Sequence, residues 1–151
     1  MQVSILKPKM IVLDYLQRIR PAKEDGYTKR EQMVEAVNHA KDMAISFGCP
    51  VILGVQVGRD ISDRKIKIPT ISDGQETSNI EQSSDKMLSL WYPCKSEPLG
   101  EMIVDGMEVT ENLLFVKILK QKMGQSHKTF ALYVDPEKNI IGSSAQLTTS
   151  V

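Results

Sequence analysis

Residues 10–16 read Met-Ile-Val-Leu-Asp-Tyr-Leu and residues 50–57 read Pro-Val-Ile-Leu-Gly-Val-Gln-Val. Neither run alternates polar with apolar. Strands covered on both faces look like this, so the two runs predict a parallel sheet flanked by helices. Between them, Thr28 and Glu31 stand at capping-box spacing, which lets a helix satisfy its own first backbone N–H groups. Met33, Val37, Ala40, Ala44 and Phe47 recur in steps of four and three, giving that helix one apolar stripe. Gly48 falls where a left-handed residue closes the last turn. Strand, helix and strand make a right-handed βαβ crossover, the unit of an α/β fold.

Beyond this unit, residues 60–77 are polar, charged and without period, a loop of the length that is usually functional or disordered. Ser78 and Glu81 repeat the capping-box spacing and predict a short helix over 79–86. Met87 to Tyr92 reads as a third strand, and residues 93–110 as an irregular excursion. Leu113 to Lys122 and Thr129 to Asp135 read as an antiparallel hairpin whose turn contains Gly124, followed by a frayed tail.

Composition sets the outer limits. The chain has 151 residues, 41% hydrophobic and 25% charged, with nine Gly and seven Pro, so a single globular domain over 1–151 is expected. Nineteen basic and nineteen acidic side chains cancel, which excludes a polybasic protein but leaves room for a local basic patch. Cys49 and Cys94 are too few for a zinc knuckle or a disulfide framework and suit a reducing compartment. No segment approaches the roughly 18 apolar residues of a membrane span, so a cytoplasmic chain without a membrane partner is expected.

Candidate chemistry sits at the strand ends, because open α/β sheets bind ligands beyond the carboxyl ends of parallel strands. Asp14 ends the first strand. Its carboxylate either holds Mg²⁺ through water or caps a loop. Gln56 interrupts the second strand near its end, as an amide orienting a phosphate oxygen or water, or as a structural amide. On the hairpin, Leu114, Val116 and Ile118 are followed on the same face by Lys120 and Lys122. Two ammonium groups roughly 7 Å apart suit a triphosphate or a nucleic-acid backbone, or form a solvated pair. Arg59, Arg64, Lys65 and Lys67 make either a phosphate-contacting or a solvated loop. His39 and His127 lack neighbours at ligand spacing. No Gly-rich phosphate cradle G-x-x-x-x-G-K-[ST] is present.

Several strings resemble the carboxyl-terminal half of the RecA-like motor domain of DnaB-type replicative helicases. Met10 to Arg18, MIVLDYLQR, is similar to the Walker B strand of that family, an apolar run followed by D-Y-L-Q. Pro50 to Arg59, PVILGVQVGR, resembles the next core strand, which usually ends S-Q-L-S-R. Asp73 to Asp85, DGQETSNIEQSSD, aligns without a gap on D-L-R-E-S-G-S-I-E-Q-D-A-D, and Lys120-Gln-Lys122-Met-Gly124 resembles a K-Q-R-N-G hairpin tip.

The resemblance implies a partial RecA-like (P-loop NTPase) three-layer α/β fold: parallel core strands, a C-terminal antiparallel hairpin, and no P-loop strand. It implies that Asp14 is the Walker B acid acting on Mg²⁺ and that Gln56 senses the γ-phosphate of ATP. Lys120 and Lys122 would reach a neighbour's nucleotide across a subunit interface. Gln75, Glu76 and Ser78 would line a channel for single-stranded DNA, with Arg59 adding a phosphate contact. The implied parent is a hexamer, an ATP-dependent 5′-to-3′ DNA helicase; this chain by itself, lacking a P-loop, is expected not to hydrolyse ATP.

Departures from the family pattern are specific. Lys122 stands at the finger arginine, and a point-charge ammonium does not reproduce its bidentate phosphate contact. Gln75 replaces an arginine, Ser78 replaces a glycine, and Gly54 and Gly58 replace small polar residues. The alternative implied is a catalytically inactive helicase-like module that modulates a replisome. Without the P-loop strand, a gap is expected between the second and third strands, closed by direct re-pairing or by a partner, with dimerisation of this chain as one outcome.

Overall fold

The computed structural model describes residues 7–20, 26–74 and 77–143. They form two compact units, one running to Gly58 and resuming over Gly74–Ser84, the other comprising Arg59–Asp73 and the chain from Asp85 onward.

The first unit is the βαβ element. Strand β1 (Ile11–Leu13) pairs in parallel with β2 (Val51–Leu53), Ile11 opposite Val51 and Leu13 opposite Leu53. Both strands are shorter than the apolar runs suggested. After Leu13 the chain turns into a 3₁₀ turn at Leu16–Arg18, which carries Leu16 into complete burial and leaves β2 no ladder to follow. Two further bonds hold the divergence: Gly54 N–H donates to the Leu13 carbonyl at 2.9 Å, and Leu16 N–H to the Gly54 carbonyl at 2.8 Å.

Helix α1 (Lys29–Phe47) begins and ends as its sequence dictates. Thr28 and Glu31 make the reciprocal capping box, and Gly48 closes the helix at φ 59°. Ala36, Val37 and Ala40 are buried, while Met33, Ala44 and Phe47 are half-buried. Helix α2 (Thr77–Ser83) packs on α1, with Ile80 buried. It starts earlier than the Ser78–Glu81 spacing implied. Ser78 is therefore a helical residue and not the cap, which falls before Thr77, outside the described residues.

The second unit is an antiparallel sheet in the order β3 (Lys86–Trp91), β4 (Leu113–Gln121), β5 (Thr129–Asp135), β6 (Ile140–Gly142). Its core is Ile68, Trp91, Leu113 and Phe115, with Ile103, Val104, Met107 and Ala131 packed against it. The Trp91 and Phe115 rings stack with centroids 5.5 Å apart, and Trp91 Nε1 donates to Ser96 Oγ at 3.1 Å. The buried side of β4 is thus the odd one, Leu113, Phe115 and Leu119. The even residues, expected to form the apolar face running into Lys120 and Lys122, are only half-buried.

That expected face is also broken. Leu88 lies opposite Ile118 but Met87 lies opposite Lys120, so Leu119 has no opposite number. This one-residue bulge takes Lys120 out of the alternation that Ile118 belongs to. Strand β6 was not anticipated: most of its residues were assigned to the linker before the tail, and residues 144–151 lie outside the described ones. Strands β2 and β3 belong to different sheets, so the direct re-pairing expected for the missing P-loop strand is not among the described pairings.

Candidate nucleotide and nucleic-acid sites

Because β1 and β2 run parallel side by side, Asp14 and Gln56 lie beyond the same, carboxyl, end of adjacent strands. Both are exposed. Gly54 backs the acid closely: a Cβ there would lie 3.5 Å from Asp14 Oδ1 and 3.4 Å from Tyr15 Cβ. A residue larger than alanine at 54 would crowd this carboxylate.

Sequence reasoning quoted Gln17 only as part of a string, yet it holds the candidate sensor. Gln17 Nε2 donates to the Gln56 carbonyl at 3.2 Å, and Gln56 N–H donates to Gln17 Oε1 at 3.2 Å. The backbone at 56 is clamped by both functions of one amide, while the Gln56 side chain has no hydrogen bond among the described residues. The signal was available: in D-Y-L-Q a polar amide follows an apolar run three residues after the acid. Tyr15 and Arg18 brace the turn, the guanidinium 5.9 Å from the ring centre and Arg18 Nε donating to the Tyr15 hydroxyl at 3.3 Å.

The fit to Mg²⁺ is that of a single outer carboxylate. No group of three or more His, Cys, Asp or Glu is gathered among the described residues, so the protein does not form a cage of its own. Mg²⁺ commonly uses one or two carboxylates with water and substrate phosphates. Asp14, exposed and without a hydrogen-bond partner among the described residues, matches that use.

In the second unit, Lys120 is half-buried at the bulge and Lys122 opens the turn beyond β4. Lys122 Nζ pairs with the Asp85 carboxylate, and its N–H donates to the Asp85 carbonyl at 3.1 Å. Gly124 at φ 120° and His127 at φ 67° shape the turn, and Gln121 Nε2 donates to the Met123 carbonyl at 2.7 Å.

The cationic loop is not a uniformly solvated one. Arg64 grips Asp73 through both guanidinium nitrogens, and Asp73 also accepts from Thr70 N–H at 2.6 Å and from its hydroxyl at 2.8 Å. These contacts, Arg64 foremost, hold the Asp73 carboxyl down at about 2 against the opposing effect of burial. Lys67 pairs with Glu97 in a largely buried contact, which lowers the Glu97 carboxyl, and Ile68 and Pro69 are buried. Two of the four expected phosphate-binding cations are therefore spent on structure, and Lys65 stands exposed. Arg59 opens the 3₁₀ turn Arg59–Asp63, its side chain outside the description. Ser78 is exposed in the first turn of α2, while Gln75 and Glu76 lie outside the described residues. Cys49 and Cys94 are free thiols, and no helix among the described residues is long and apolar enough to cross a membrane.

Comparison with known proteins agrees with this arrangement. The replicative DNA helicase DnaB of Mycoplasma pneumoniae is 36% identical over 81 residues, 53% of this chain and 17% of that protein. A solved DnaB-like replicative helicase, studied with its interactions with primase, superposes with a TM-score of 0.73 at 25% identity, over 89% of this chain and 30% of its own. An ATPase domain solved by itself gives the same TM-score and identity, with 89% of this chain and 44% of that domain covered. The chain thus spans about a sixth of the length of the curated relative, and its partial RecA-like α/β fold is that of DnaB-type ATPase domains. The family described as DnaB-like helicase C terminal domain matches residues 2–139, nearly the whole chain: this protein belongs to the DnaB-like helicase C-terminal domain family.

Proposed function

We propose that this chain forms part of a cytoplasmic, ATP-dependent replicative DNA helicase, a hexamer in its complete form, that moves along single-stranded DNA. The observation that carries this reading is the placement of Asp14 and Gln56 beyond one end of adjacent parallel strands, in a chain of this family. Asp14 holds the water shell of Mg²⁺, and the Gln56 amide, its backbone fixed by Gln17, meets the terminal phosphate. Bound Mg·ATP supplies the phosphoryl-transfer chemistry; the P-loop that cradles it comes from the portion of the domain outside this match. Lys120 and Lys122 serve a neighbouring subunit's nucleotide. Arg59, Gln75, Glu76 and Ser78 contact the DNA backbone.

A second reading, a helicase-like module without turnover, is favoured by one contact. Lys122 is engaged by Asp85 and is a lysine where the family carries arginine. The test replaces the matching stretch of a DnaB-type helicase with this chain and measures ATP-driven unwinding of a forked duplex. Unwinding dependent on Gln56 supports the motor. A folded hexamer that binds DNA without turnover supports the module.

A further inference from the structure

The sheet of the second unit is finished on one side only. Its odd face is the Trp91–Phe115 core. Cross-strand partners share a face, and on the other side Leu88 stands opposite Ile118, Leu90 opposite Val116, and Val116 opposite Phe130. Ile141, opposite Val134, extends the same side to the fourth strand. These side chains are in water: Leu88 and Leu90 are 62% exposed, Ile141 64% and Phe130 45%. A contiguous apolar band across all four strands is an interaction surface and not the scatter of single apolar residues that folded proteins tolerate.

Two observations say what covers it. More than half of a self-contained ATPase domain of this fold lies outside the stretch this chain matches, since the chain covers 44% of that domain. The first unit independently needs more sheet, because β1 and β2 form a parallel pair of three residues each, whereas parallel sheets occur with several strands and both faces covered. A second copy of this chain would bring the same short pair and the same bare face. The remaining portion of the domain brings new strands and helices.

We propose that the Leu88–Leu90–Val116–Ile118–Phe130–Ile141 face is the docking surface for the P-loop-bearing portion of a DnaB-type ATPase domain, which seats an apolar helical face on it. This inference rests on the helicase reading and deepens it by naming the surface through which a nucleotide site is completed.

The test co-expresses the 151-residue chain with the tagged P-loop-bearing portion of a DnaB-type ATPase domain and measures capture and stoichiometry. A one-to-one complex is expected. The double variant Leu88→Glu/Leu90→Glu keeps its circular dichroism and melting curve, because both side chains already face solvent, and loses at least tenfold in capture. An intact ATPase domain, whose own sheet is complete, does not capture the chain. Should the portion be insoluble by itself, co-refolding gives a second reading: amide exchange in β3 slows at least tenfold when both pieces are present. Absence of a complex together with unchanged β3 exchange overturns the proposal. So does capture indifferent to the glutamates, or self-association of the chain that the glutamates abolish while the P-loop portion is ignored. A complex that forms through this face but never hydrolyses ATP leaves the docking surface standing and refutes the helicase reading; an active chimera with no docking between separate pieces does the reverse.

Discussion

Removing the carboxylate at Asp73 tests whether the cationic loop is a built structure. The Asp73 side chain is 5% exposed, gripped by Arg64 and bonded twice to Thr70. Its carboxyl sits at about 2 instead of the ordinary 3.8. A group whose folded value is depressed stabilises the fold above the unfolded value, and that stabilisation fades as pH falls through the folded one. The difference corresponds to about 2 kcal/mol at pH 7, rounded down because Arg64 is 40% exposed and its charge partly screened. Asp73→Asn should therefore lower the melting temperature at pH 7 by roughly 4–8 °C, taking about 2–4 °C per kcal/mol for a chain of this size. The gap between wild type and variant should hold from pH 7 to pH 4 and narrow between pH 4 and pH 2. Thermal melts of both proteins across that range measure it. A gap that stays constant down to pH 2, or one that closes near pH 6, would refute the assignment of this stability to the Arg64–Asp73 pair.

Three further outcomes follow from the same geometry. Leu16→Ala, at a fully buried side chain, should cost about 2–5 kcal/mol in urea unfolding. Thr28→Ala should cost about 1 kcal/mol by removing the capping box, read as a lower melting temperature without loss of the folded baseline. Lys122→Ala should change stability by less than about 1 kcal/mol, because its pair with Asp85 is exposed on both sides. In the helicase chimera, Lys122→Arg should raise ATP turnover, since a guanidinium makes the two-pronged phosphate contact that an ammonium cannot.

The βαβ unit was legible because its signals are local: an apolar run, a capping box and a left-handed glycine each specify backbone without help from distant residues. The lengths of β1 and β2 were not. They end where Leu16 dives into the core and Gln17 clamps Gln56, both tertiary events. On β4 nearly every position is apolar, so alternation could not say which face is buried, and a register slip at Leu119 is invisible without its partner strand. The loop cations looked alike in sequence; only pairing with Asp73 and Glu97 separates Arg64 and Lys67 from Lys65. Asp14 and Gln56 were readable as candidates because strand ends are where α/β sheets present polar groups.

The most direct measurement is ATP turnover of the helicase chimera carrying Asp14→Asn, an isosteric change at an exposed side chain. Turnover falling by about a hundredfold or more, with hexamer and melting temperature unchanged, is the expected result for a carboxylate that holds Mg²⁺ at the phosphates. Undiminished turnover would contradict the placement of the nucleotide at the carboxyl ends of β1 and β2.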